Sequence, residues 1–140
     1  MATDPLPKDA ALVVNVQSRR GEEAFDQACE KLAAVGIRVL SRHPVTDPEQ
    51  MRPTVRKAIE AGAPMVIVGG GDGSLSCTVD EVVDRDCVFA LLPLGTANSF
   101  ARTLSIPLDV KGAVSVLATG KVADVDLGSV DGDYFANATA

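Results

Sequence analysis

One segment of the chain joins an apolar run to a series of glycines that contains a carboxylate. Residues 65–68 are apolar, and Gly69-Gly70-Gly71-Asp72-Gly73-Ser74 follows them directly. Backbone N–H groups at a turn from a strand into a helix form an anion site with the positive end of the helix dipole, and glycine lets phosphate approach the backbone closely. The residue types and their order therefore predict a phosphate-binding loop.

The carboxylate of Asp72 needs its own explanation. The loop is not a Walker A motif, because no Gly-Lys-Ser/Thr sequence follows the glycines. A carboxylate beside bound phosphate is repelled unless it binds Mg²⁺, orients a donor or takes a proton from a nucleophile. The alternative is a tight turn in which Asp72 caps the following helix and has no catalytic role.

A second polar loop repeats this order of elements. Residues 88–92 are apolar, and Pro93-Leu94-Gly95-Thr96-Ala97-Asn98-Ser99-Phe100-Ala101-Arg102 follows. Thr96 and Asn98 could donate hydrogen bonds to phosphate or to Asp72, and Arg102 could offer a bidentate fork to an anion. Alternatively, Thr96 is a helix N-cap and Arg102 belongs to a solvated helix face.

The two loops require strands and helices to position them. Short apolar runs predict strands at residues 11–16, 37–40, 65–68 and 88–92. Helical spacing predicts helices at residues 22–35, 58–61, 74–83 and 109–119. Gly36 is expected to end the first helix, and the start of the second is ambiguous because Pro48 and Pro53 could each occupy a first turn.

Near-continuous apolar strands joined by helices predict a parallel sheet that is covered on both faces. The expected class is α/β, with a three-layer, doubly wound, mostly parallel sheet. Residues 122–127 and 134–138 flank Asp131-Gly132, a two-residue hairpin signal. The end of the chain is therefore expected to form an antiparallel ribbon.

Composition favours one ordinary globular domain over residues 1–140. Of the 140 residues, 46% are hydrophobic and 23% are charged. Three cysteines without a CxxC pair favour packed, reduced thiols. The net charge of -6 and the lack of a basic run argue against nucleic acid as a partner. The chain has neither a signal peptide pattern nor a long apolar span, so a cytoplasmic location with at most peripheral membrane contact is expected.

The two loops together resemble a known pair of motifs. GGGDGS about twenty residues before PLGTANSFAR is similar to the paired signature of the diacylglycerol kinase catalytic family, which includes sphingosine and ceramide kinases and bacterial relatives. Residues 13–21 are similar to the family's first strand and its Asn-Pro-x-Ser/Ala-Gly turn. Ser41 is expected after the second strand, where the family often has a threonine near the nucleotide. Residues 124–128 and 134–137 resemble the strand pair that ends this domain.

This resemblance implies ATP-dependent phosphorylation of a lipid hydroxyl, such as that of diacylglycerol, by an enzyme that uses ATP and Mg²⁺. Asp72 would assist catalysis or hold Mg²⁺. The remaining residues implied in nucleotide binding are Asn15, Ser41, Gly70, Gly71, Gly73, Ser74, Gly95, Thr96, Asn98 and Arg102. The implied fold is that of the first domain of NAD kinases and phosphofructokinases.

The chain also departs from the family pattern. Val16 replaces a proline, Ser74 a threonine and Ser99 an aspartate. The family's second, β-rich lipid-binding domain is expected to be absent, which would leave the chain inactive alone and favour a dimer through the C-terminal ribbon. Two other functions stay open: an NAD kinase or phosphofructokinase, against which residues 100–102 argue, and a nucleotide-binding module without turnover.

Overall fold

The fold is given by a computed structural model that describes residues 7–17, 19–82, 87–94, 110–119, 125–130 and 133–138. Four strands form its main sheet: β1 (Asp9–Asn15), β2 (Arg38–Val45), β3 (Met65–Gly70) and β4 (Val88–Pro93). Within these residues, four α-helices accompany them: α1 (Arg19–Ala34), α2 (Met51–Glu60), α3 (Asp72–Val79) and α4 (Val110–Thr119). Single 3-10 turns precede α2 and follow α3, at Pro48–Gln50 and Asp80–Val82.

The sheet is parallel throughout its four strands. Their order is β2-β1-β3-β4, and each of the three neighbouring pairs runs parallel. The chain moves outward from β1 to β2 and then returns past β1 to form β3. The carboxyl ends of β1 and β3 therefore flank the point where the winding reverses, which is where open α/β sheets bind ligands.

Helices cover both faces of this sheet. Leu12 and Val14 of β1 pack on one face with Leu32 of α1 and Leu117 of α4. The intervening side chains of β1 pack on the other face, in a cluster that includes Met51 and Val55 of α2 and Leu75 of α3. Each central strand is buried on both sides, which explains its continuous apolar sequence. The predicted α/β class and parallel sheet are confirmed.

The second strand is twice as long as predicted. The prediction stopped at residue 40, whereas β2 continues to Val45. Arg42, His43 and Pro44 interrupt the apolar pattern, but β2 is an edge strand of the sheet, where charge and proline are tolerated because one side of the strand has no ladder to maintain.

Both prolines near the start of α2 lie in the first turn of a helix, Pro48 in the 3-10 turn and Pro53 in α2. Pro48 begins the 3-10 turn, whose N-cap Asp47 accepts a hydrogen bond from the N–H of Glu49. Pro53 lies in the first turn of α2, where a proline breaks no helical hydrogen bond. Gly36 follows α1 with a φ of 84°, a left-handed conformation suited to glycine, so its predicted role as the end of that helix is confirmed.

A separate two-stranded sheet lies at the end of the chain. β5 (Val125–Val130) and β6 (Asp133–Ala138) pair antiparallel. The hairpin signal Asp131-Gly132 falls outside the described residues. Dimerisation through this ribbon stays a prediction. Across the described segments, no helix is long and apolar enough to cross a membrane.

The cysteines pack as thiols. Cys29 borders one core cluster, and Cys77 and Cys87 border the other. None of the three forms a disulfide. Burial raises the pKa of the Cys77 thiol above its ordinary value, so this sulfur stays protonated and unreactive near neutral pH. The three cysteines are partly buried against the core, and their reduced state stays a prediction.

Candidate phosphate-binding site

The glycine loop and the end of β1 meet at the carboxyl edge of the sheet. An open pocket of about 300 Å³ lies there, lined by Asn15, Gln17, Gly70, Gly71 and Leu94. Asn15 ends β1, while Gly70 ends the neighbouring strand β3. The structure thus brings the predicted residues Asn15, Gly70 and Gly71 together at the point where the sheet reverses its winding.

The backbone of the glycine loop is arranged to bind an anion beside this pocket. Gly71 is the N-cap of α3 and has an extended conformation (φ −88°, ψ −174°). The N–H of Leu75 donates to the carbonyl of Gly71 over 3.0 Å, which closes the first helical turn. The N–H groups of residues 72–74 precede it and have no acceptor within an α-helix. These donors, with the helix dipole, suit an anion.

Gly70 and Gly73 occupy different structural environments in the loop. A Cβ on Gly70 would lie 2.7 Å from Cβ of Ser74 and 3.0 Å from its Oγ, so a side chain there would displace the start of α3. A Cβ on Gly73 would meet nothing within 4 Å. Gly70 is therefore required by the close approach of β3 to α3, whereas packing does not require a glycine at position 73.

Asn15 connects the turn after β1 to the glycine loop. Its Oδ1 accepts a hydrogen bond from the N–H of Gln17 over 3.0 Å. Its Nδ2 donates to Oγ of Ser74 over 3.4 Å, a long and weak bond. Asn15 therefore orders the chain on both sides of the pocket.

Val16 replaces the proline of the family pattern, and its N–H takes part in a backbone hydrogen bond. That group donates to the carbonyl of Val45 over 2.8 Å, one residue beyond the end of β1. Proline has no N–H and could not make this bond. The substitution extends the contact between β1 and β2 next to the pocket.

Asp72 is the first residue of α3, and the N-cap position belongs to Gly71. The alternative in which Asp72 caps that helix and has no catalytic role stays open. The side chain of Asp72 lies outside the described part of the structure, as do Gly95, Thr96, Asn98 and Arg102. Their predicted roles in catalysis, Mg²⁺ binding and nucleotide binding stay predictions.

Ser41 does not lie where the sequence predicted. It is inside β2, opposite Ala11 of β1, whereas the end of that pairing joins Asn15 to Val45. Four residues of strand, about 13 Å, separate it from the carboxyl edge. Its Oγ lies 2.9 Å from Nε2 of His43. The predicted position after the second strand is wrong, because β2 continues past residue 40.

Sequence reasoning missed two lining residues and a cluster of charges. Gln17 and Leu94 line the pocket, and the rule that ligands bind beyond the carboxyl ends of parallel strands could have indicated both. The charge cluster joins Arg52 and Arg56 of α2 to Glu81 in the turn after α3. Its only sequence signal is two arginines four residues apart.

Glu81 is almost fully buried, with 5% of its side chain exposed. Oε1 accepts hydrogen bonds from Nε of Arg52 over 2.6 Å and Nη2 of Arg56 over 3.0 Å. The guanidinium of Arg56 is the main cause that lowers the pKa of Glu81 to about 2, with Arg52 adding to it and burial opposing both. We call Arg52, Arg56 and Glu81 the α2–α3 clasp, because their ion pairs connect α2 to the turn that follows α3.

The clasp predicts a pH dependence of stability. The pKa of Glu81 falls from 4.5 to about 2 on folding, so its stabilising effect is fully present above about pH 5 and is lost as the pH falls toward 2. Thermal unfolding of the wild type and Glu81→Gln at several pH values should show a Tm gap that shrinks between pH 5 and 2.5. A gap of constant size would contradict the assignment.

Comparisons with known proteins agree with this geometry. Residues 9–130 match the model of the diacylglycerol kinase catalytic domain. The chain is 35% identical over 135 residues to the probable lipid kinase YegS-like of Pseudomonas aeruginosa (strain UCBPP-PA14), covering 94% of this chain and 44% of that protein. It is 34% identical over 86 residues to the diacylglycerol kinase of Staphylococcus epidermidis, covering 60% of this chain and 27% of that protein.

A solved structure has the same fold. The crystal structure of a diacylglycerol kinase from Bacillus anthracis superposes with a TM-score of 0.76 at 23% identity, covering 91% of this chain and 49% of that one. This chain spans 44% of the Pseudomonas protein and 49% of the Bacillus protein, which is less than half of each. The resemblance read from the two loops is confirmed, and the chain belongs to the diacylglycerol kinase catalytic domain family.

Proposed function

We propose that this chain is the ATP-binding part of a lipid kinase, which transfers the γ-phosphoryl group of ATP to the hydroxyl of a lipid such as diacylglycerol. The observation that supports the proposal most strongly is the pocket between Asn15 and the Gly70–Gly71 backbone, next to the first turn of α3. Family membership supports the choice of a lipid as acceptor.

The lining of the pocket suits a phosphate chain. Its described residues are two glycines, two side-chain amides and a leucine, so they offer hydrogen-bond donors without charge. Compensation for the phosphate charge would come from the dipole of α3 and from Mg²⁺. Mg²⁺ in kinase sites needs only one or two protein carboxylates besides phosphate oxygens and water, and Asp72 is the carboxylate that we propose for this role.

Catalysis in such an enzyme consists mainly of positioning and charge stabilisation. Gly70, Gly71, Gly73 and Ser74 would orient the phosphates through the backbone at the start of α3. Asp72 would bind the metal or take the proton of the lipid hydroxyl. Asn98 and Arg102, with Gly95 and Thr96, would complete the nucleotide site from the second loop.

Turnover and the lipid are proposed for a protein that includes more than this chain, because the chain spans 44% of its Pseudomonas relative. Alone, we expect it to bind Mg·ATP and transfer no phosphoryl group. Peripheral contact with a membrane and association of two copies through β5 and β6 belong to the same proposal, and sedimentation at high concentration tests the second.

Calorimetric titration of Mg·ATP tests nucleotide binding. Gly70→Ala should weaken affinity about tenfold, because the new Cβ overlaps Ser74 and shifts the start of α3, a cost of about 1.4 kcal/mol. Gly73→Ala keeps the backbone N–H that would face the phosphates and adds a Cβ that meets open space, so it should change affinity less than about threefold. Equal affinities for wild type and Gly70→Ala would overturn the phosphate site.

Phosphoryl transfer tests the acceptor. A longer protein that contains this chain should phosphorylate diacylglycerol in vesicles and leave NAD and fructose 6-phosphate unmodified. Transfer to NAD or fructose 6-phosphate would replace the lipid kinase by one of those enzymes. Mg·ATP binding without transfer to any acceptor would favour a nucleotide-binding module.

A further inference from the structure

The helix that begins at the glycine loop, α3, is short and is held to the sheet mainly by apolar contacts. It has eight residues and is about 12 Å long. Among its described residues, the large apolar side chains that are buried are Leu75 and Val79. The hydroxyl of Thr78 is buried and donates within the same helix, to the carbonyl of Ser74 over 2.8 Å. Because apolar burial is not directional, this packing does not fix the position of α3 along its own axis.

The α2–α3 clasp supplies directional bonds just beyond the far end of this helix. Nε of Arg52 and Nη2 of Arg56 donate to Oε1 of Glu81 over 2.6 and 3.0 Å. Nε of Arg56 also donates to Oε2 over 3.2 Å, and Nη1 of Arg52 lies 3.6 Å from Oδ2 of Asp80. Both carboxylates follow α3 directly, and both guanidinium groups belong to α2, which packs on the same face of the sheet. The clasp thus fixes the end of α3 that lies farthest from the pocket.

The chemistry of the clasp favours a positioning role over a purely stabilising one. Burial of an ion pair costs desolvation, so apolar side chains of similar volume often stabilise a fold at least as well. A guanidinium fork adds a fixed direction and distance to the carboxylate that it binds. Glu81 is buried, so its carboxylate cannot exchange the arginines for water without leaving the core.

The position of Glu81 affects the glycine loop because a helix moves as a rigid rod. Leu75, which is fully buried, lies about 10 Å from Glu81 along the axis and about 4.5 Å from the first residue of α3. A shift of about 1 Å at Glu81, with Leu75 as the pivot, would therefore displace the first turn by about 0.5 Å. Binding groups must be held to within about that distance of their productive geometry.

Resting on the proposed function, we infer that Arg52, Arg56 and Glu81 are positioning residues of the phosphate site. The clasp holds α3 where the N–H groups of its first turn meet the phosphates beside Gly70 and Gly71. The three residues touch neither nucleotide nor lipid, and they act through the helix alone.

Titration of Mg·ATP into clasp variants, at a temperature where each variant is folded, tests the inference. Glu81→Gln should weaken affinity about fivefold, because a displaced first turn makes poorer hydrogen bonds to phosphate. Arg56→Gln should also weaken it, and the double variant should bind about as tightly as Glu81→Gln alone, since both substitutions break the same bonds. Inorganic triphosphate should show the same losses, because the displaced donors face phosphate.

Two control variants separate positioning from stability and from charge. Ile37 is buried at the amino end of β2, on the side of the parallel sheet away from the pocket. Ile37→Ala leaves a cavity there and should lower the Tm at least as much as Glu81→Gln, yet leave Mg·ATP affinity unchanged. Lys57→Gln removes an exposed cation next to Arg56 on α2 and should likewise leave affinity unchanged.

Three outcomes would count against the clasp as a positioning device. Wild-type affinity in both Glu81→Gln and Arg56→Gln, with Gly70→Ala still weakened, would overturn this inference and leave the proposed function standing. An equal loss of affinity in Ile37→Ala would also overturn it, because affinity would then follow stability alone. Absence of Mg·ATP binding by the wild type would overturn both proposals.

Discussion

Gly21→Ala is expected to lower the free energy of unfolding by about 2 kcal/mol, within the range for overpacking a tight site. Gly21 lies in the first turn of α1, and a Cβ built on it would overlap the carbonyl oxygen of Asn15. The same Cβ would lie 3.0 Å from Cα of Val16. The three atoms nearest to it all belong to the backbone of Asn15 and Val16, so rotation of a side chain cannot relieve the overlap. Either α1 or the end of β1 must move.

Gly73→Ala is the matched control, because Gly73 also lies in the first turn of a helix. Its Cβ would meet nothing within 4 Å, and alanine in place of a helical glycine should raise stability by about 0.5–1 kcal/mol. Urea denaturation of the two variants should therefore give shifts of opposite sign. Shifts of equal sign and size would show that α1 does not approach β1 as described.

The Gly21→Ala substitution should also affect the pocket. Asn15 lies between Gly21 and the glycine loop, with its carbonyl against Gly21 and its side chain toward Ser74. Movement of the end of β1 should also displace Gln17, whose N–H is bonded to Asn15. We therefore expect Gly21→Ala to weaken Mg·ATP binding at temperatures where the variant is still folded.

Glu81→Gln should lower the free energy of unfolding by about 2 kcal/mol, the value for hydrogen bonds to charged groups. Glutamine keeps the size of the side chain but removes the charge that both arginines of the clasp share. The cost should stay below that of a fully buried pair, because the side chains of Arg52 and Arg56 are 48% and 47% exposed and can return to water. Urea denaturation at pH 7 measures the difference.

An exposed glutamate provides the comparison for the clasp. Glu30→Gln removes the same charge from the surface of α1 and should change stability by less than about 0.5 kcal/mol. Arg56→Lys should lower the Tm of the wild type and have little effect on Glu81→Gln, since the bond that it weakens is already lost. Independent effects of these two substitutions would mean that the clasp does not couple α2 to α3.

The sequence by itself determined the layout of the central strands and the place of the glycine loop. Met65–Gly70 is apolar or glycine throughout and is buried on both faces, so the local pattern suffices to identify a central parallel strand. The glycines that follow an apolar strand likewise predict where the chain turns into a helix. Gly36 marked the end of α1 because a left-handed residue follows a helix.

Only the tertiary structure decided which distant residues meet. The local pattern predicts that Ser41 follows a strand, but the edge position of β2 allows polar residues to continue that strand to Val45. Arg56 and Glu81 are 25 residues apart, and they meet because α2 and α3 cover the same face of the sheet. Gln17 lines the same pocket as Gly70 and Gly71 because β1 and β3 are neighbours. Strand order sets such contacts, and it depends on burial of the whole sheet rather than on any local pattern.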